Sequence, residues 1–401
     1  MNSQFQDTVR FCTKCVISNQ RPSSTVEFLS STKTQKRYIQ IDKDGVCEAC
    51  RYQDVKQGNI HWQGREQQLH ELADKIRSER KSREGYDIVV PGSGGKDSAF
   101  TAHILKYKYG LNPLTVTWAP HLYTEIGWKN FTNWMHVGGL DNILFTPNGQ
   151  LHRYLTKLAF QNLLHPFQPF IVGQRIIGPR IAAKFGIKHV FYGENQAEYG
   201  NAVSENDSPL MQRKFFSSQD VKELQLGGVF INEIIKESRF KPDDFVPYIP
   251  LTESESSSVE VHYLGYYLRW DPQECFYYAA EHTGFLPNEE RTEGSYSKYS
   301  SIDDKVDPFH YYTTLIKFGL GRASYDAAQE IRNRKITREE GVALVQKYDL
   351  EFPEKYFDEF LDYIGLSVQE FFSTIDIFRP PHIWQNVNSE WKLLRPVWEQ
   401  K

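Results

Sequence analysis

The sequence predicts an α/β protein built on a parallel sheet, with a small four-cysteine module before it and a helical C-terminal region after it. Three observations carry that expectation. Two Cys-x2-Cys pairs, Cys12/Cys15 and Cys47/Cys50, stand near the N-terminus. Between residues 87 and 192, short β-branched runs alternate with apolar-periodic stretches, which is the pattern of βαβ crossovers. Farther on, Thr337-x-x-Glu340 and Ser367-x-x-Glu370 are capping-box signatures, each opening a helix. The division that follows is 1–60 for the metal module, 61–255 for the α/β unit and 256–401 for the helical region.

Composition agrees with a folded protein of two or three domains: 401 residues, 40% hydrophobic, 14% aromatic and 24% charged. Lys and Arg total 47 against 51 for Asp and Glu, a net charge of −4, which argues against a surface built to hold a nucleic-acid backbone. No run of about 18 apolar residues is present to span a membrane. The first ten residues are polar, include Asp7 and have no apolar h-region. The expectation is a cytoplasmic protein with neither nucleic acid nor membrane as partner.

In a reducing cytosol the cysteine pairs are metal ligands rather than disulfides. Two knuckles pointing four thiolates at one centre make a tetrahedral zinc site, structural because no position stays open for substrate; an iron–sulfur cluster is the alternative. The 31 residues between the knuckles leave room for a hairpin, with Val26–Leu29 and Tyr38–Ile41 as strands and Asp44-Gly45 as a turn. The fifth cysteine, Cys275, precedes Phe276-Tyr277-Tyr278 and reads as a small buried hydrophobe.

After the second knuckle, the polar stretch Gln53–Asn59 reads as a linker. An amphipathic helix follows from Trp62 to about Lys81, with Trp62, Leu69, Leu72 and Ile76 on one face. Strands are expected at Asp87–Val90, Pro113–Trp118, Asn142–Thr146 and Lys188–Tyr192, with a helix ending near Tyr109 after the first. Ligands of such sheets sit at the carboxyl ends of the strands. The first turn there is Pro91-Gly92-Ser93-Gly94-Gly95-Lys96-Asp97-Ser98. It is neither a dinucleotide fingerprint nor a Walker A motif, yet it suits an anion. Its glycines let backbone N–H groups approach, the helix start adds positive potential, and Ser93, Ser98 and Lys96 add donors. Asp97 would repel a phosphate unless a cation such as Mg²⁺ lay between them. A capped βα turn with no ligand is the plain alternative.

Ser93-Gly94-Gly95-Lys96-Asp97-Ser98 after a strand resembles the PP-loop of the ATP pyrophosphatases, and the chain as a whole resembles their N-acetyl sugar amidotransferase branch (WbpG/PseA type). The matching blocks are the CxxC pair with Asp44–Cys47, the loop, Leu111–Trp118, Glu125–Asn130, Gly193–Asn195 with Glu198–Gly200, Tyr263–Asp271, and Lys317–Ala323 with Glu330–Arg332. The resemblance implies an enzyme that converts a sugar acetamido group to an acetamidino group. The amide oxygen attacks the α-phosphate of ATP, pyrophosphate leaves, ammonia adds to the O-adenylyl imidate and AMP departs. It implies ATP, Mg²⁺ and Zn²⁺ as cofactors, with Cys12, Cys15, Cys47 and Cys50 on the zinc.

By the same resemblance Ser93, Gly94, Gly95, Lys96, Asp97 and Ser98 hold the pyrophosphate, and Asp97 does so through Mg²⁺. Thr117 and Trp118 take the adenine position, although Trp118 in the core is an equal reading. Gly193, Glu194 and Asn195 serve AMP, metal or the acceptor amide, or simply cap a helix. Glu198 and Tyr199 hold the sugar or shape their loop. Lys317 and Arg322 reach phosphate or an acidic sugar, whereas Arg334, Lys335 and Arg338 form a solvated face. Segment 201–260 matches least, and Ser254–Ser258 reads as a loop. Ammonia is expected from a separate glutaminase subunit similar to that of imidazole glycerol phosphate synthase, since no glutaminase motif is found around Cys275 or at position 2. The sugar is a nucleotide-linked diacetamido uronic acid or a nonulosonic acid, in surface-polysaccharide or flagellin-glycan synthesis. The competing class is a PP-loop tRNA thiolase, which would favour a basic surface and a reactive thiol.

Overall fold

The structure is a computed structural model that describes residues 8–22, 38–80, 85–194, 208–218 and 224–400. Its strands are β1 (Ile88–Pro91), β2 (Pro113–Trp118), β3 (Asp141–Phe145), β4 (His189–Tyr192), the short hairpin β5 (Gln225–Leu226) and β6 (Val229–Phe230), β7 (Glu260–Tyr263), and a second hairpin of β8 (Trp384–Val387) and β9 (Glu390–Leu393). Five form one sheet in the order β3-β2-β1-β4-β7, and every pairing in it is parallel.

Alternation along the central strands builds two cores. Val89, Val116, Val190 and Val261 point to one face with Phe160, Phe170 and Ile177. Ile88, Val90 and Phe191 point to the other, against Ala99, Ala102, Leu105 and Trp134. Crossover helices cover both faces of a parallel sheet, so its central strands are buried; β1 and β2 are buried at every residue.

Four of the five sheet strands stand within a residue or so of their expected places, and the helix expected from Trp62 spans Trp62–Arg80. The fifth, β7, escaped the sequence reading, and it carries the sheet past residue 255, where the α/β unit was expected to end. Ser254–Ser258 is also not a loop. Glu253–Ser257 is helical, opened by a capping box in which Thr252 and Glu255 exchange side-chain and backbone hydrogen bonds, the same device seen at Thr337 and Ser367.

The four-cysteine module packs through Val16, Ile17 and Ala49 against Leu320, Ala327, Ala328, Val345 and Val397 of the helical region. This docking explains a second correction. The expected linker 53–59 lies almost wholly in the helix Glu48–Gly58, and its polar residues serve an interface. Lys56 is fully buried and donates to the Trp270 carbonyl at 2.5 Å, while Gln57 donates to the Arg332 carbonyl at 3.4 Å. Tertiary hydrogen bonding overrides the loop-like composition. Of the hairpin expected between the knuckles, Val26–Leu29 lies outside the described residues. Tyr38 and Ile41 make only isolated bridges, to Pro22 and Cys47, and the Asp44-Gly45 turn is closed by Gly45 N–H donating to the Asp42 carbonyl at 3.2 Å.

Candidate active site

In the order 3-2-1-4-7 the chain leaves β1 toward β2 on one side and later returns as β4 on the other. The gap between the carboxyl ends of β1 and β4 is therefore a topological switch point, where open α/β sheets bind ligands. A cleft of about 540 Å³ opens there.

One wall is the turn after β1. Gly94 has φ +82°, and a Cβ on it would lie 2.8 Å from the Phe131 backbone. A Cβ on Gly92 would lie 2.1 Å from that of Ser98, so both positions exclude a side chain. Gly95 starts the helix Lys96–Tyr107 and no side chain caps it, which leaves the first N–H groups of the helix open to an anion. Ser98 turns its hydroxyl back to the Gly95 carbonyl at 3.1 Å. Burial works against the charge of Lys96, but Asp97, 2.5 Å from its ammonium, outweighs this and raises its pKa. The other oxygen of Asp97, Oδ1, is buried and has no protein partner. A buried carboxylate oxygen left without a donor beside an anion cradle fits a hard divalent cation, and Asp97 would hold Mg²⁺ through it. Gly193 and Glu194, from the end of β4, form the floor, with the Gly193 carbonyl accepting from Gly265 N–H at 2.8 Å.

The opposite wall comes from the helical region. Asp303 faces Ser93 across the cleft, and burial raises its pKa although Ser93 opposes the shift. Asp307, at the start of the helix Asp307–Phe318, is pushed up to about 7 by burial, with Arg322 and the nearby Ser301 opposing the shift. Arg322 is held by Asp326 through contacts of 3.0 and 3.2 Å and lies 4.3 Å over the Tyr311 ring. Glu330 accepts from the Tyr296 hydroxyl at 2.8 Å, and burial raises its pKa too. Lys317 donates to the Leu163 carbonyl at 3.0 Å. His165 and His310 stack at 4.8 Å in the same lining, and burial holds both neutral, His310 at about 3. The segment after β2 is stapled to the helical wall next to the site: Thr124 Oγ1 donates to the Ile302 carbonyl, and Asp304 accepts from His121 N–H at 2.8 Å.

The structure therefore brings Ser93, Gly95, Lys96, Asp97, Ser98, Gly193, Glu194, Lys317 and Arg322 to one cleft, with Gly94 shaping the turn. Thr117 and Trp118 are not in its lining. Trp118 is buried between Phe145 and Tyr248, with ring centroids at 5.2 and 5.4 Å, and a Cβ on Gly173 would strike its indole at 2.3 Å. Thr117 Oγ1 accepts from Asn142 at 3.0 Å. Both side chains are thus engaged within the protein, the ring by packing and the hydroxyl by Asn142. Lys335 was expected on a solvated face; it lines the cleft, 3.4 Å from Asp271. Asn195, Glu198 and Tyr199 lie outside the described residues. Sequence reasoning missed Asp303, Asp307, His165 and His310. Only Asp307-Pro308, a helix-start pair, left a local trace.

The four cysteine sulfurs converge apart from this cleft. Cys12 and Cys50, like Cys15 and Cys47, are 3.8 Å apart. Tetrahedral zinc at about 2.3 Å from each sulfur sets neighbouring sulfurs roughly 3.8 Å apart, so the spacing fits. Cys12 also accepts from the N–H groups of Lys14 and Cys47 at 3.4 and 3.3 Å, donors that stabilise thiolate. Cys275 is buried, and burial pushes its thiol well above the ordinary range, as expected of a packed side chain rather than a nucleophile.

Among known families, residues 293–397 match the C-terminal domain of WbpG-like lipopolysaccharide (LPS) biosynthesis proteins. One solved structure that resembles the chain is NMN synthetase from Francisella tularensis, with a TM-score of 0.27 and 13% identity, covering 69% of this chain and 95% of that one. No curated protein matches. Among the described residues, no helix is long and apolar enough to cross a membrane.

Proposed function

We propose, from the premise that residues 293–397 are a WbpG-like C-terminal domain, that this chain is an ATP-dependent amidotransferase acting on an acetamido sugar. One observation carries the reading: the glycine turn after β1 and the WbpG-like domain are opposite walls of a single cleft. One wall suits a pyrophosphate, and the other offers the polar groups a sugar needs.

An amide oxygen is a poor leaving group, and the α-phosphate of ATP converts it to a good one. The O-adenylyl imidate so formed, with loss of pyrophosphate, loses AMP once ammonia has added at carbon. The helix start at Gly95 and the charge of Lys96 hold the departing pyrophosphate where its negative charge gathers. Asp97 would hold a Mg²⁺ ion, whose charge would offset that of the phosphates. Asp307, ionised above about pH 7, accepts the proton that ammonia sheds as it adds. Cys12, Cys15, Cys47 and Cys50 would hold a structural zinc, bracing the module that packs on the helical wall. Ammonia comes from a separate glutaminase, a reading supported by the buried thiol of Cys275.

The test is product identity. With Mg²⁺, ammonium and a nucleotide-linked diacetamido uronic acid or a nonulosonic acid, the purified chain yields AMP, pyrophosphate and a sugar amidine in equal amounts. Stoichiometric ADP and phosphate would overturn the reading.

A further inference from the structure

At the end of the sheet away from the cleft, two neighbouring strands bring three side chains together. In the β4–β7 ladder His189 is paired with Glu260 and Phe191 with His262. Because side chains alternate along a strand, Glu260 and His262 share the face on which His189 stands. His189 Nδ1 lies 3.1 Å from His262 Nε2, and Glu260 Oε2 lies 3.5 Å from the first and 3.8 Å from the second. Both histidines are buried, and the glutamate is about one third exposed.

The two carboxylate distances exceed those of good hydrogen bonds, yet three atoms from three residues point at one spot. Ligands about 2.0–2.2 Å from a tetrahedral ion stand roughly 3.3–3.5 Å from each other, and the observed triangle is close to that. The surroundings favour ligation as well. Lys188 takes the other oxygen of Glu260 at 2.9 Å and leaves Oε2 to the histidines. The Tyr267 hydroxyl lies 3.1 Å from His262 Nδ1, and a proton on that nitrogen leaves Nε2 as the ligating lone pair. Burial favours the neutral ring at both histidines.

We infer that His189, Glu260 and His262 form a second metal site for a divalent transition ion of the zinc class, clamping the edge strand β7 to β4. Imidazole nitrogens with one carboxylate suit that class better than Mg²⁺ or Ca²⁺. The site lies outside the cleft, so its role is to hold the sheet edge.

The full-length protein, treated with a mild chelator that leaves zinc on the four thiolates, is titrated with Co²⁺ and followed by absorption and metal analysis. The expected result is one Co²⁺ per chain with the weak visible bands of a nitrogen and oxygen site, and a rise of several degrees in Tm. Glu260→Gln and His262→Gln should each weaken Co²⁺ at least tenfold while retaining the thiolate-bound zinc, which reports that the variants are folded. Should the wild type take up no Co²⁺ beyond the thiolate site, or should both variants bind it as the wild type does, the inference is wrong.

Discussion

The two walls of the cleft are built in different ways. The turn after β1 is contiguous, eight residues whose glycines and helix start are local necessities, as the approach of Gly94 to the Phe131 backbone shows. The helical wall is assembled from Asp303, Asp307, Lys317, Arg322 and Glu330, which acquire their properties only through burial and one another. A wall made by local geometry fails sharply when one atom is removed. A wall made by mutual electrostatics should shift its response to pH instead.

The largest effect is expected on the first wall. Asp97→Ala removes the buried oxygen that has no protein partner and with it the cation contact. Formation of AMP should fall on the order of 10³-fold, with Tm nearly unchanged because the turn keeps its glycines. An activity loss accompanied by unfolding would remove the distinction between the walls.

The cysteine module supplies the next test, read on stability rather than on rate. Cys12→Ser should release the metal and cost several kcal/mol, because binding energy at a structural site is folding energy. The module packs on Leu320, Ala327 and Ala328, so the loss should loosen the helical wall as well. Metal content and thermal unfolding measured on one sample check this. A variant that keeps its melting temperature without the metal would show that the module does not brace that wall.

Legibility in the sequence follows the same division. The cysteine spacing and the glycine turn are local patterns, and four sheet strands announced themselves by β-branched runs. The fifth strand, Glu260–Tyr263, is short and half polar, and its pairing with β4 depends on a crossover of more than sixty residues between them. Residues 53–59, most of them in the helix Glu48–Gly58, looked like a linker because their polar side chains meet an interface invisible in sequence. Asp307 looked like one acid among many, and only the fold shows that burial shifts it.

That shift gives the third prediction. The folded-state pKa of Asp307 is about 7 against an ordinary 3.8, so folding favours its protonated form. Its contribution to stability is present below about pH 4 and declines as pH rises toward 7. Burial is opposed by Arg322 and Ser301 and reinforced by Asp303 and Asp304. Turnover, corrected for the NH₃ present at each pH, should rise about tenfold as the group ionises around pH 7. Asp307→Asn should flatten that rise and lower the rate above it. An unchanged profile in the variant would move the proton acceptor elsewhere.

The smallest effect on ATP use is expected behind the sheet, at Trp118. Its ring fills space against Gly173, Phe145 and Tyr248, and its Nε1 is buried without a partner. Trp118→Leu therefore has two opposing consequences. The lost volume costs about 2–4 kcal/mol, while removal of an unpaired buried N–H returns about 1 kcal/mol, so the net loss is about 1–3 kcal/mol. Because the ring does not line the cleft, the KM for ATP should stay within about twofold. Stacking on adenine would behave differently, since removing an aromatic platform costs about 1–3 kcal/mol per base, which is roughly a tenfold rise in KM. Measuring KM and unfolding free energy together separates the two roles: a stable variant with raised KM would return Trp118 to the nucleotide, and a destabilised variant with unchanged KM keeps it in the core.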